Sequence, residues 1–148
     1  MSPDFESLNL TEIIRLQNQL SALLARRFEK THALAFSDVT GSTAYFARFG
    51  NEAGRRLQQR HVDLIVKSLE RSSGRIVDTV GDGVFLCFPH VEAAVEVLER
   101  FQTLRLQENA HLPPEHQMTT RIGIHWGTVL TDGVIVTGDP VNLCAKLA

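Results

Sequence analysis

The chain has little of several features that would place it in a specialised class. It has only two cysteines in 148 residues, Cys87 and Cys144, and they lie in apolar surroundings without metal-ligand spacing. This pattern predicts buried thiols in a reducing compartment, and therefore a cytoplasmic protein. The net charge of −2 gives no broad electrostatic attraction for nucleic acid, so no nucleic-acid partner is expected.

Long apolar runs are also missing, and none could cross a bilayer, so no membrane insertion is expected. The first six residues lack the basic start and apolar centre of a signal peptide. The hydrophobic share of 43% is nevertheless enough for a folded core at this length. The sequence therefore predicts one domain, with a possible appendage.

Residues 1–32 are predicted to be that appendage. Residues 10–30 contain no Gly or Pro and are expected to form a helix, with Thr11 as a possible N-cap. Apolar residues recur there at coiled-coil spacing, namely Ile13, Leu16, Leu20 and Leu23. Two interpretations are open. The helix packs on its own domain, or it pairs with a second copy and acts as a dimerising linker to which a regulatory domain could attach.

Two aspartates define the segment around which residues 33–148 are organised. The first strand is predicted over residues 33–39, and because it is apolar at nearly every position it is expected at the centre of its sheet. Asp38 lies near its end and precedes the small-residue turn Gly41-Ser42-Thr43 at the start of a helix. Asp82 lies in a Gly-Asp-Gly turn between predicted strands over 75–80 and 83–88. If the strands are neighbours, both acids reach one sheet edge, where they could hold divalent metal ions beside a phosphate-binding helix start. Each acid alone also suits a turn or a helix cap.

Periodicity and turn residues predict the other elements: helices over 52–72 and from 91 to about 107, a strand over 121–126, a hairpin around 131–133 and a last helix from 141. Ser72-Ser73-Gly74 is expected to cap the first of these helices. The order β-α-α-β-β-α-β-β-α predicts an α+β, ferredoxin-like fold of the βαββαβ type. The helices are expected on one face of the sheet, with the 75–88 hairpin at its centre.

Four segments are more specific in combination than any one of them alone: FSDVTGST at 36–43, TVGDG at 79–83, RIGIHWG at 121–127 and GDPVNL at 138–143. In this order they resemble the class III adenylate/guanylate cyclase catalytic domain, and the resemblance runs from about residue 33 to the C-terminus. Members of this family make cyclic AMP or cyclic GMP for signalling, and they work as dimers with active sites shared across the interface.

The resemblance implies a role for ten residues. The metal ligands for two Mg²⁺ or Mn²⁺ ions would be Asp38, Asp82 and the carbonyl of Val39. The remaining roles are phosphate binding by the N–H groups of Gly41, Ser42 and Thr43, ribose positioning by Asn142 of a partner chain, charge stabilisation by Lys146, and base recognition at Asp78 and Ile135. The 3′-hydroxyl of ATP or GTP would attack its own α-phosphate, and pyrophosphate would leave.

Three features depart from the family pattern. Asp78 stands where adenylate cyclases usually carry lysine and guanylate cyclases glutamate, which argues weakly for guanine, and Ile135 cannot accept a hydrogen bond from a base. Lys146 stands where an arginine is usual, and a lysine lacks the planar fork of a guanidinium. The family's domain also continues for further strands beyond the last helix predicted here, so its C-terminal part is expected to be missing.

These departures leave a second hypothesis open, in which the chain is a degenerate cyclase-like module that binds nucleotide or only dimerises, without turnover. A relative that joins two nucleotides is disfavoured, because the turn at Asp82 lacks paired acids. No two histidines have helical ligand spacing, so no zinc site is predicted. His61, on an apolar helix face, is predicted to be a core or interface residue.

Overall fold

The computed structural model describes residues 4–138, and their helices and strands follow one another in the order that the sequence predicts. After a short 3-10 turn at Phe5–Ser7, the elements are α1 Leu10–Phe28, β1 Glu29–Val39, α2 Ser42–Phe49, α3 Asn51–Ser68, β2 Arg75–Val80, β3 Gly83–Phe88, α4 Val91–Asn109, a 3-10 turn at Pro114–His116, β4 Thr120–Thr131 and β5 Val136–Thr137. No helix in this part of the chain is long and apolar enough to cross a membrane.

The sheet confirms the ferredoxin-like prediction. Its strand order is β2-β3-β1-β4-β5, and each neighbouring pair is antiparallel. The first four strands and the intervening helices follow the βαββαβ order, with α1 in front. The expectation of a central hairpin was wrong. β1 pairs with β3 on one side and β4 on the other, so it occupies the centre, and β2 of the hairpin lies at the edge of the sheet.

Apolar side chains fill both faces of the sheet. One face packs against α3 and α4 around fully buried residues that include Leu86, Phe88 and Phe101. The opposite face carries a second cluster formed by Leu34, Phe85, Cys87, Val129 and Val136. Since both faces of β1 are buried, its sequence is continuously apolar over residues 33–36 and does not alternate.

Several predicted boundaries need correction. α1 ends at Phe28 and β1 begins at Glu29, because residues 29–32 already pair with β4 in the sheet. The N-cap of α1 is Asn9, whose side chain accepts a hydrogen bond from the Glu12 N–H, and Thr11 lies inside the helix. β4 is a single strand through Thr131.

The end of α3 also differs from the expectation. The helix stops at Ser68, and the left-handed residue beyond it is Arg71, with φ 64°. Gly74 is needed for packing rather than for capping, because a Cβ atom there would overlap the ring of Phe88. The glycine therefore allows the chain to pass close to the core on its way into β2.

Candidate functional site

The register between β1 and β3 brings the two acid-bearing segments together. Asp38 lies opposite Gly83, the residue that follows Asp82 in the turn between β2 and β3. Gly81, in the same turn, has φ 58°, a backbone conformation that glycine adopts without strain. Asp38 and Asp82 are therefore at the same edge of the sheet, on adjacent strand ends, as the sequence predicted.

Within the part of the chain that the structure describes, Asp38 has one ion-pair partner, on the next strand. Arg121 lies opposite it in the β1–β4 register, and Arg121 Nη2 is 3.7 Å from Asp38 Oδ2. The Arg121 side chain is 62% exposed and that of Asp38 is 26% exposed, so water screens the pair. This weak contact leaves the Asp38 carboxylate able to accept another cationic partner.

The Asp82 carboxylate is held more firmly, by two neutral donors. Ser42 Oγ at the start of α2 donates to Asp82 Oδ2, and Gln58 Nε2 on α3 donates to Asp82 Oδ1. Ser42 is buried, whereas Gln58 and Asp82 are half-buried. The sequence drew attention to Ser42 for its main chain only, and it did not identify Gln58.

The small-residue turn after β1 forms the start of α2. Gly41 is the N-cap with φ 70°, and a glycine has no side chain that could cap the helix. The first N–H groups of a helix lack intrahelical acceptors, so this end suits an anion. A cavity of about 230 Å³ adjoins the turn, with Val39, Thr40 and Gly41 in its wall. Thr43 is exposed.

A buried polar pair lies next to the sheet edge that carries Asp38 and Asp82, which we call the acid edge. His61 on α3 is fully buried, and its Nε2 is 2.8 Å from Ser37 Oγ, one residue before Asp38. Burial lowers the pKa of His61 to about 4, while the main chain and carboxylate of Asp82 act in the opposite direction. The histidine is therefore a neutral core residue, which confirms the interpretation of its position on an apolar helix face.

The two residues assigned to base recognition lie on different elements. Asp78 is exposed on β2, next to an irregularity in the β2–β3 pairing, and its Oδ1 accepts a hydrogen bond from the Thr79 N–H. Ile135 is 64% exposed in the turn between β4 and β5. Arg75 links this turn to β2, since its Nη1 donates to the Val134 carbonyl at 2.9 Å.

Four sequence expectations lie outside the described residues: Asn142, Lys146, the thiol of Cys144 and the helix expected from residue 141. Cys87, the other cysteine, is buried as predicted, and burial raises the pKa of its thiol. It lies 3.2 Å from His32 Nδ1. Neither group belongs to the acid edge.

The donor chemistry at the acid edge fits a hard divalent cation. Asp38 and Asp82 supply carboxylate oxygens, and the main chain of Val39 supplies a carbonyl oxygen next to Asp38. Mg²⁺ typically uses one or two carboxylates and completes its shell with water and substrate phosphates. Within residues 4–138, no group of three or more His, Cys, Asp and Glu side chains forms a metal-binding cluster.

Comparison with known sequences finds one matching family and relatives of two kinds. The sequence model described as the adenylate and guanylate cyclase catalytic domain matches residues 25–144. A protein of Rhizobium meliloti (strain 1021) with the provisional name adenylate cyclase 3 is 24% identical over 115 residues, which are 78% of this chain and 20% of that protein. The serine/threonine-protein kinase pkn2 of Myxococcus xanthus is 25% identical over 107 residues, 72% of this chain and 13% of the kinase. The chain thus spans a fifth or less of each relative.

Solved structures share the fold. A bacterial light-regulated adenylyl cyclase superimposes with a TM-score of 0.71 at 20% identity, covering 80% of this chain and 69% of the other. An adenylate/guanylate cyclase/hydrolase from Silicibacter pomeroyi gives a TM-score of 0.69 at 27% identity, with the same coverage of both chains.

Proposed function

The chain belongs to the family of adenylate and guanylate cyclase catalytic domains, and from this premise we propose that it is a nucleotidyl cyclase. It converts ATP or GTP to the 3′,5′-cyclic monophosphate and pyrophosphate. The observation that carries the proposal is the β1–β3 register, which sets Asp38 beside the Asp82 turn. The start of α2, whose first N–H groups lack intrahelical acceptors, follows Asp38 by four residues.

Two Mg²⁺ or Mn²⁺ ions are the proposed cofactors, with Asp38, Asp82 and the Val39 carbonyl as their protein ligands. When bound, such ions favour the ionised form of the attacking 3′-hydroxyl and neutralise charge on the phosphates. The chain's own contribution is to orient the triphosphate at Gly41, Ser42 and Thr43, so that the hydroxyl attacks the α-phosphorus as the bond to pyrophosphate breaks.

The site is proposed to be completed by a second copy of the chain. The family resemblance assigns Asn142 of the partner to the ribose and Lys146 to the developing phosphate charge. Two apolar side chains that are exposed in the single chain are consistent with association of two chains: Trp126 is 47% exposed and Val134 is 73% exposed. A homodimer would contain two such sites, related by its symmetry axis.

The substrate is a purine nucleotide whose base contacts Asp78 and Ile135. Asp78 is exposed and its carboxylate retains acceptor capacity beyond the Thr79 N–H. A carboxylate accepts from the N–H donors of guanine's Watson–Crick edge, and this favours GTP weakly. Ile135 offers only an apolar surface.

The test is product formation by the 148-residue chain with Mn²⁺ and either ATP or GTP. We expect one or both cyclic nucleotides from wild-type protein. Asp38→Asn and Asp82→Asn should each abolish product, because each removes a proposed metal ligand. The fold should be retained, because removal of one carboxylate relieves repulsion within an acid pair. Asp63→Asn is the matched control, since Asp63 is exposed on α3 and bonds only to Gln59 among the described contacts.

Absence of product from a dimer that still binds nucleotide would instead favour the degenerate binding module. Absence of both product and nucleotide binding would favour a dimerisation role alone. Loss of the fold in Asp38→Asn or Asp82→Asn would identify the acids as structural turn and cap residues.

A further inference from the structure

One turn of α3 contacts both acid-bearing segments. Gln58 and His61 are three residues apart on this helix, so their side chains lie on the same face. Gln58 reaches the Asp82 turn, and His61 reaches β1. No known motif marks this pair in the sequence, and the connection appears only when the β1–β3 register is known.

The His61 contact fixes α3 to β1 next to Asp38. His61 and Ser37 are each fully buried, and the 2.8 Å hydrogen bond joins them inside the core. The ring of His61 also packs edge-on against Phe101, with centroids 5.7 Å apart. Ser37 directly precedes Asp38 in β1, so this hydrogen bond ties the end of the strand that carries Asp38 to α3.

The Gln58 contact fixes the carboxylate of Asp82. One carboxylate oxygen accepts from Gln58 and the other from Ser42. A carboxylate has about four lone-pair sites, so each oxygen keeps one for a cation. The two donors therefore orient Asp82 without occupying all of its capacity.

We propose that Gln58, Ser42 and His61 are positioning residues that hold the two acids ready for a divalent cation. Gln58 and Ser42 set the rotamer of Asp82, and His61 sets the strand that carries Asp38. The inference rests on the proposed function, because it concerns the metal ligands of that site. Partners that orient a ligand in this way typically change metal affinity by about 10–100-fold.

The test is Mn²⁺ binding to the full chain without nucleotide, measured from the free-ion signal in electron paramagnetic resonance. Gln58→Met removes the donor but keeps the length and helix propensity of the side chain. We expect the variant to bind Mn²⁺ at least about tenfold more weakly than wild type. The matched control is Gln59→Met, at an exposed position on the same helix, and it should bind as wild type does.

Ser42→Ala, which removes the other donor, should weaken Mn²⁺ binding in the same direction. Thermal unfolding without metal verifies that each variant is folded before the titration. Equal Mn²⁺ affinity of wild type, Gln58→Met and Ser42→Ala would overturn the positioning role and leave the proposed function intact. Wild-type binding that Asp82→Asn does not weaken would overturn the metal role of Asp82, and the positioning role with it.

Discussion

His61 is neutral in the folded protein at physiological pH, since burial lowers its pKa to about 4 from an ordinary value of 6.5. The unfolded chain therefore binds a proton between these values that the folded chain does not bind. The contribution of His61 to the free energy of unfolding is complete above about pH 6.5 and decreases as the pH falls towards 4. The gap between the two pKa values corresponds to about 3 kcal/mol.

We predict that the free energy of unfolding is lower at pH 4 than at pH 7, and that His61 accounts for about 3 kcal/mol of the difference. His61→Gln keeps a polar group near Ser37 but does not titrate, so its unfolding energy should depend less on pH. Urea denaturation of both proteins at the two pH values measures this. Equal pH dependence in the two proteins would show that the histidine is not held neutral by burial.

Individual residues show which parts of the site the sequence could predict and which it could not. Asp38 and Asp82 were found because strand and turn patterns place them at adjacent strand ends. Gln58 was not found, because a glutamine inside an amphipathic helix has no distinctive signal until the strand register is known. The sequence identified His61 as a core residue, but its partner Ser37 is 24 residues away along the chain.

At the scale of elements, α1 differs most from the other helices. It contains no buried residue, and its apolar side chains include Ile13 at 40% and Leu20 at 52% exposure, with Leu16 and Leu23 half-buried. It also continues into β1 without a linker, because the Glu29 N–H bonds to the Ala25 carbonyl while Glu29 pairs with Leu130. A rotation of α1 would therefore act directly on the strand that carries Asp38.

We predict that Leu16→Asp combined with Leu20→Asp weakens the dimer and any cyclase activity together, because unpaired charges are costly in an apolar seam. The matched control is Asn18→Asp with Ala22→Asp, which adds the same charge at the same spacing on about the opposite side of the helix. Sedimentation of both variants at several concentrations measures the dimer. An unchanged dimer in the Leu16/Leu20 variant would mean that α1 does not form the contact between copies.

The elements that were predicted best are those bounded by residues with a strong preference for turns. The bounds of β2 and β3 match the expectation fully, because the Gly-Asp-Gly turn fixes both strand ends. The end of α1 was misplaced, because residues 29–30 continue its helical pattern and only their long-range pairing with β4 makes them a strand. The continuously apolar sequence of β1 indicated a central strand, and its pairing with both β3 and β4 confirms that position.

For the whole molecule, the proposed mechanism requires that two chains build each site. Asp38 and Asp82 come from one chain, and Asn142, outside the described residues, is assigned to the other. An Asp82→Asn chain and an Asn142→Ala chain should each form inactive homodimers. A mixed dimer would contain one site with both changes and one site with neither, as two-fold symmetry requires.

Mixing these two inactive variants and measuring cyclic nucleotide formation tests this claim most directly. With free exchange of chains, half of the dimers are mixed and half of their sites are intact, so activity should recover to about a quarter of the wild-type value. Mixing Asp38→Asn with Asp82→Asn, which both damage the same half of the site, should recover none. Activity that stays at background in the first mixture, while sedimentation shows mixed dimers, would contradict a site shared between chains.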